Sequence, residues 1–362
     1  MISICAMANH PGLPSAWLLR VWLASSIFWL GGCAVSPGSE RLPADHFAFN
    51  DAIAMAESRE MLLNVVRIRY ADPVKFLEVG TVGSSFSIGA GGEAEATLGS
   101  GPSTLLMPSV AYTESPTLTF LPRGDSEFAM DMLAPISLSA ALLGLRSTPN
   151  LIMELHLTIA ELNGGLQERG PAGDLYRKRA IELAKCAENG KVWLGAARPD
   201  DGELIPVLLI EDPGDPETVS LMEILGTTPG APRYPIRSSA DITAAGRDPT
   251  AIYFSTRSVL EMMTVMAGGV VVPAAHVESG IVPPLSWFPV DSAELLQFSV
   301  KSGTQQPPDR LAIRHRDYWF WIADNDMASK SAFLSLLTHF NVQAKASPES
   351  LARPVLTLPI GQ

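Results

Sequence analysis

Apolar positions along this chain recur at two spacings, three-to-four and two, and the switches between them predict helices and strands in alternation. From a cap at Asn50, the residues Ala52, Met55, Ala56, Leu62, Leu63, Val66 and Tyr70 follow one helical stripe to about Ala71. Asp72-Pro73 ends it, because proline disfavours helix at the residue before it. Arg67 and Arg69 suit the negative end of the helix dipole. Residues 76–120 read as β structure. Phe86, Ile88 and Ala90 alternate, then Ala94, Ala96 and Leu98 alternate beyond Gly91-Gly92, which predicts a hairpin. Seven glycines lie between positions 80 and 101.

Further on, 117–121 alternates as a strand, a helix opens at Asp125, and 138–145 forms a second short helix. Residues 151–159 alternate apolar with Glu154, His156 and Thr158, predicting a half-buried strand. Residues 174–188 form an amphipathic helix, and 191–198 with 204–210 a hairpin around Pro199-Asp200-Asp201-Gly202. Ile252-Tyr253-Phe254 is a strand. Ser258 and Glu261 have capping-box spacing at the start of a helix to Ala267. Residues 294–301 and 310–322 suggest a long hairpin, 329–340 a helix and 354–359 a last strand. Strand-then-helix units at 117–134, 251–267 and 316–340 form a faint repeat.

This pattern predicts an α+β fold with mixed or antiparallel sheets and packed helices. The length exceeds one typical core, so two subdomains are expected, 47–225 and 251–362. The Pro-containing stretch 226–250 would link them.

The N-terminus reads as an export signal. Residues 1–32 hold no acid and one basic side chain, Arg20. The apolar run from Val21 to Leu30 is half of the roughly 20 residues a spanning helix needs. Leu30-Gly31-Gly32-Cys33 then resembles the lipobox of bacterial lipoprotein signals. The resemblance implies cleavage before Cys33, lipid on its thiol, and 33–46 as a lipidated tether. Ala34, where an Asp would favour inner-membrane retention, points to the outer membrane facing the periplasm.

Charge narrows the possible partners. The 26 basic residues less Arg20 leave 25 against 38 acidic ones. That excess disfavours nucleic acid, whose binding rests on Lys and Arg. With Cys5 in the leader and Cys33 lipidated, Cys186 is left alone, a small buried hydrophobe in a helical pattern. No nucleophile elbow, Ser-x-x-Lys pair, zinc motif, Walker loop or dinucleotide fingerprint occurs. No catalytic residue, cofactor or metal is therefore predicted. Asp324-Asn325-Asp326 begins like a calcium loop but lacks its glycine and later glutamate, and a helix cap explains it.

Two surfaces stand out. Arg314, Arg316, Tyr318, Trp319 and Trp321 form a candidate binding surface for a glycan or a peptide, weighed against a strand that merely becomes buried along its length. The Gly-rich segment 80–101 could offer an edge for an added strand.

Three blocks together, Leu63 to Tyr70 with Asp72-Pro73, Pro116 to Phe120, and Ala312 to Trp321 with Ser329-Lys330, resemble a group of uncharacterised bacterial lipoproteins. The resemblance implies an envelope protein and carries over no catalytic residue. The expected function is a membrane-anchored, non-catalytic structural or accessory subunit with an envelope protein partner. The alternative is a periplasmic small-ligand or glycan-binding lipoprotein. A third reading is an enzyme assembled from distant segments, with His156, His276 or His315 beside a carboxylate.

Overall fold

The computed structural model describes residues 42–90, 94–97, 102–105, 110–124, 126–198, 204–243, 246–289, 295–344 and 356–359. The expected signal, Cys33 and the first part of the expected tether lie outside them. The chain divides into two units, Met1–Ala54 and Met55–Gln362. The first is described only where helix α1, Leu42–Arg69, begins. Asn50 is therefore inside the helix, not its cap. Pro43 is tolerated because the first turn has no hydrogen bond for its missing N–H to make.

In the second unit, β1 (Phe76–Ala90) pairs antiparallel with β4 (Val110–Arg123) over the full hairpin length. Between them β2 (Ala94–Thr97) pairs with β3 (Pro102–Leu105). The hairpin predicted across Gly91-Gly92 is thus replaced by two nested ones. Period-two alternation shows that a stretch is a strand but does not choose its partner. Gly80 is the extra residue where the β1–β4 register shifts, a bulge position that suits glycine.

Four helices follow in the first half: α2 (Ser126–Leu133), α3 (Leu138–Ser147), α4 (Leu151–Thr158) and, after β5 (Ile159–Leu162) and β6 (Gly165–Leu166), α5 (Asp174–Glu188). Helix α4 corrects the predicted strand at 151–159. Asn150 caps it, its side chain accepting from the Met153 N–H. The alternation misled because Glu154 and His156 are buried, not solvent-facing. Helices α3 and α5 pack on α4. Leu155 and Leu157 are fully buried there, each stabilising by roughly 1.5–3 kcal/mol. Cys186 is buried in α5, as expected, and burial pushes its thiol pKa up.

The chain continues through β7 (Val192–Ala197), β8 (Ile205–Ile210), α6 (Pro216–Leu225), β9 (Arg233–Ser238) and β10 (Ile252–Thr256). These strands form one sheet in the order β6-β5-β10-β9-β8-β7. Only the β9–β10 pairing is parallel. The fold is accordingly α+β with mixed sheets. The stretch 226–250 is no bare linker, since it supplies β9 between β10 and β8. Its prolines masked the strand: Pro235 sits within it opposite Val207.

Last come α7 (Val259–Ala267), opened by the predicted capping box, and α8 (Ala274–Glu278), then β11 (Lys301–Gly303), β12 (Ala312–His315), β13 (Tyr318–Trp321), α9 (Met327–Gln343) and β14 (Leu356–Pro359). Strands β11, β13 and β12 form a small sheet, and β14 pairs with β4. The predicted hairpin between 294–301 and 310–322 is corrected, because 310–322 contains its own turn at Arg316-Asp317. Asp317 is a usual turn residue, but Arg316 is not and no glycine accompanies it, so the reversal is hard to read. The faint repeat has no counterpart in the sheets, as β4, β10 and β13 belong to three different ones. The helices that follow those strands, α2, α7 and α9, do pack on one another.

Candidate functional site

Two remote blocks of the chain meet where α1 ends. The helix terminates with Ala71 at φ 57°, the Ala71 N–H donating to Ile68 O and the Asp72 N–H to Arg67 O. That is the Schellman ending, whose left-handed residue is ordinarily glycine. Asn64, fully buried, braces the turn by bonding both the N–H and the carbonyl of Lys75. On the opposing side, Arg316 (φ 46°) and Asp317 (φ 68°) close the two-residue turn between β12 and β13. Three of the five non-glycine residues with positive φ among the described residues thus lie at this one place. Each costs of order 1–3 kcal/mol and persists only where its surroundings over-determine it.

The two turns are joined through Asp72. Its carboxylate accepts from Arg316 Nη2 at 2.7 Å and pairs with His315 Nε2 at 3.0 Å. Burial opposes the charged form, yet the hydrogen bonds from Arg316 and His315 hold the Asp72 pKa below the usual carboxylate range. Burial lowers the His315 pKa against the pull of Asp72. Tyr70 sits beneath the clasp. The Arg316 guanidinium lies 5.2 Å over its ring, and its hydroxyl meets His276 Nδ1 at 2.7 Å. Desolvation pushes the Tyr70 pKa up to about 12. Tyr318 completes the cluster edge-on to His276.

The five residues of the candidate binding surface do not share one face. Tyr318 points inward with His315, while Arg314, Trp319 and Trp321 lie on the outward face. Trp319 and Trp321 are half-buried, the latter against Gly303. Arg314 is exposed and pairs with Asp317, and Arg316 is committed to Asp72. Asp72 and Tyr70 were missed as site residues, and His276 was named only as a histidine that could stand beside a carboxylate. Asp72 carried a sufficient local role as a helix stop, and only the joint occurrence of the 63–73 and 312–321 blocks hinted at their meeting.

A second carboxylate–histidine pair lies in the interior. Glu154 of α4 meets His339 Nε2 of α9 at 2.9 Å and accepts from Ser335 Oγ at 2.6 Å. Gly144 makes room for it, since a Cβ there would stand 2.5 Å from Glu154 Oε1. A cleft of about 180 Å³ opens beside the group. The order of contacts matters. The serine donates to the carboxylate and not to the histidine, so it is not activated as a nucleophile in the triad manner. His315 likewise has no serine, threonine or cysteine among its bonded partners.

His156 and Asp326 have structural roles. His156 bonds Ile152 O through Nδ1 at 2.6 Å, and desolvation lowers its pKa to about 4. Asp326 caps α9 by accepting from the Ser329 N–H and Oγ. Among the described residues no group of three metal-ligating side chains comes together.

A larger cleft, of about 740 Å³, lies close to the clasp. Valines from the segment after α7 and from α8 line it, with Arg69 and Arg169. No family model, curated protein or solved structure matches this chain.

Proposed function

We propose that this chain is a lipid-anchored protein of the bacterial envelope, held through Cys33 in the outer membrane and facing the periplasm. It acts as a non-catalytic accessory subunit, and its partner is another envelope protein. One observation carries the reading. Strand β1 runs 15 residues at the edge of its sheet, and no described strand pairs with its outer side. At about 3.4 Å per residue it reaches roughly 50 Å, against five or six residues for an ordinary strand.

Beyond its root, where Phe76 stacks on Phe340 and the Leu77 N–H donates to Glu60, the hairpin contacts chiefly itself and β14. A long unpaired edge is a template for strand addition. The two carboxylate–histidine pairs fit this reading as braces, because each carboxylate is already engaged from two sides.

The test is photo-crosslinking in cells from positions 84 and 85, with Ser84→Pro and Ser85→Pro alongside. Neighbouring residues of a strand point their N–H groups to opposite sides, so one proline disturbs the β4 ladder and the other only the free edge. The expected result is one captured envelope protein, with capture falling about tenfold in the proline variant that keeps its fold. Cys33→Ser is expected to leave the membrane fraction or to remain unprocessed. Capture indifferent to both prolines overturns the strand-addition reading, and a mature membrane-bound Cys33→Ser chain overturns the anchor. A small-ligand-binding lipoprotein is the second reading, favoured by the 740 Å³ cleft.

A further inference from the structure

We propose that the cleft headed by Arg69 and Arg169 binds an anionic amphiphile, a molecule with one carboxylate or phosphate-monoester head on an aliphatic chain. Arg69 ends helix α1 and is only 4% exposed, and no carboxylate among the described residues pairs with it. Its Nη1 donates to Pro283 O at 2.6 Å, its guanidinium lies 5.1 Å over the Phe288 ring, and its buried Nε has no partner. Burial pulls its pKa down, opposed by the neighbouring Tyr70 phenol and by no carboxylate. A buried cation without a counterion is costly, and it is the kind of group that marks a place for an anion from outside.

The second observation is the cleft itself. At about 740 Å³ it has the size of a small-ligand site. Arg169 also lines it and donates from Nε to Phe288 O at 2.6 Å, so both guanidiniums touch Phe288 and sit at the same end. The rest of the wall is aliphatic, with Val270, Val271, Val277, Val282 and Leu285, and no acidic side chain is among the described lining residues. The unpartnered Nε of Arg69 can donate to an oxygen of a carboxylate or phosphate, and Arg169 adds positive charge at the cleft, while the valine wall presents no polar group to an alkyl chain. The described lining residues include no tryptophan or tyrosine on which a sugar ring would stack. A cationic head is disfavoured by the arginines.

The experiment uses the full chain held in amphipol, titrated calorimetrically with decanoate, decyl phosphate, decanol and acetate below their aggregation limits. Decanoate and decyl phosphate are expected to saturate one site at least tenfold more tightly than decanol, and acetate not to saturate at all. Arg69→Met should bring decanoate to the level of decanol. Because Arg69 also holds Pro283, a second variant protects the test. Val277 is 55% exposed, so Val277→Trp fills the cleft without entering the core and should abolish binding of all three chains. Equal binding of decanoate and decanol overturns the proposal, and so does acetate binding as tight as decanoate. Undiminished binding in a folded Val277→Trp variant places the amphiphile elsewhere and also overturns it. None of these outcomes touches the β1 edge, so this site and the accessory-subunit reading stand or fall separately.

Discussion

The two carboxylate–histidine pairs use the same chemistry in different surroundings. Glu154 and His339 have side chains 2% and 4% exposed, whereas Asp72 and His315 keep 25% and 17%. Both pairs join segments far apart in sequence. The interior pair ties α4 to α9 with a serine as third member, and the outer pair ties the end of α1 to the β12–β13 turn with an arginine. The difference teaches that one hydrogen bond has unequal weight in the two places. Removing a partner in the interior leaves a side chain only a few per cent exposed without its hydrogen bond. At the half-exposed clasp, water and salt take over part of what is lost.

The largest effect should come from breaking the interior pair on one side only. Glu154→Ala leaves His339 and Ser335 without their acceptor, and a loss of roughly 3–5 kcal/mol is expected in urea unfolding. The double variant Glu154→Met/His339→Leu should recover most of it, because the buried histidine is then gone and only the half-buried Ser335 hydroxyl lacks its acceptor. A double variant as unstable as the single would show that packing, not the polar pair, sets the cost.

His156 sharpens the comparison, being a buried histidine with no carboxylate beside it. Its folded pKa is about 4, against roughly 6.5 when unfolded. As pH falls below about 6.5 the unfolded chain takes up a proton that the folded chain refuses, so stability decreases until about pH 4. The loss is on the order of 3 kcal/mol. Thermal unfolding from pH 7 to 4 should show a shallower decline in His156→Phe than in the parent. Equal slopes would assign the acid sensitivity to other groups.

Smaller still is the clasp. Asp72→Asn should cost about 1 kcal/mol at pH 7, as expected of a half-exposed pair. The Asp72 pKa is held low, so its contribution is present above the unfolded value near 4 and is lost as pH falls through the folded one. The variant and parent should therefore converge as pH falls through and below the folded Asp72 pKa in the same unfolding measurement. The smallest effect is a gain. Ala71→Gly relieves a left-handed alanine and should raise stability by about 0.5–1 kcal/mol. A destabilised Ala71→Gly would mean that the strained ending is compensated by contacts of the methyl group.

Legibility followed the range of the interactions. The capping box at Ser258 and Glu261, the α5 stripe, the β7–β8 hairpin and the Asp326 cap were all readable, because each depends on residues a few positions apart. Helix α4 was misread because Glu154 and His156 imitate a solvent face. What satisfies Glu154 is 181 and 185 positions away, at Ser335 and His339. The turn at Arg316-Asp317 was missed for a related reason, since its left-handed backbone is held by Asp72, 244 positions from Arg316. Arg69 was read as a favourable end-of-helix charge, which it is, but its burial beside Phe288 depends on a loop from the other end of the chain.

By itself the sequence determined the α+β class and most of the helices and strands, because periodicity and capping are local properties of the backbone. The expectation of a lipid anchor at Cys33 comes from the same kind of short-range reading. Tertiary structure alone decided which polar residues are buried together, which strand became an edge, and where a guanidinium was left without a counterion. Those outcomes depend on desolvation and partner geometry between segments that meet only after folding. A carboxylate four residues from a histidine and one nearly two hundred residues away are the same to chemistry, and only the first is visible in a sequence.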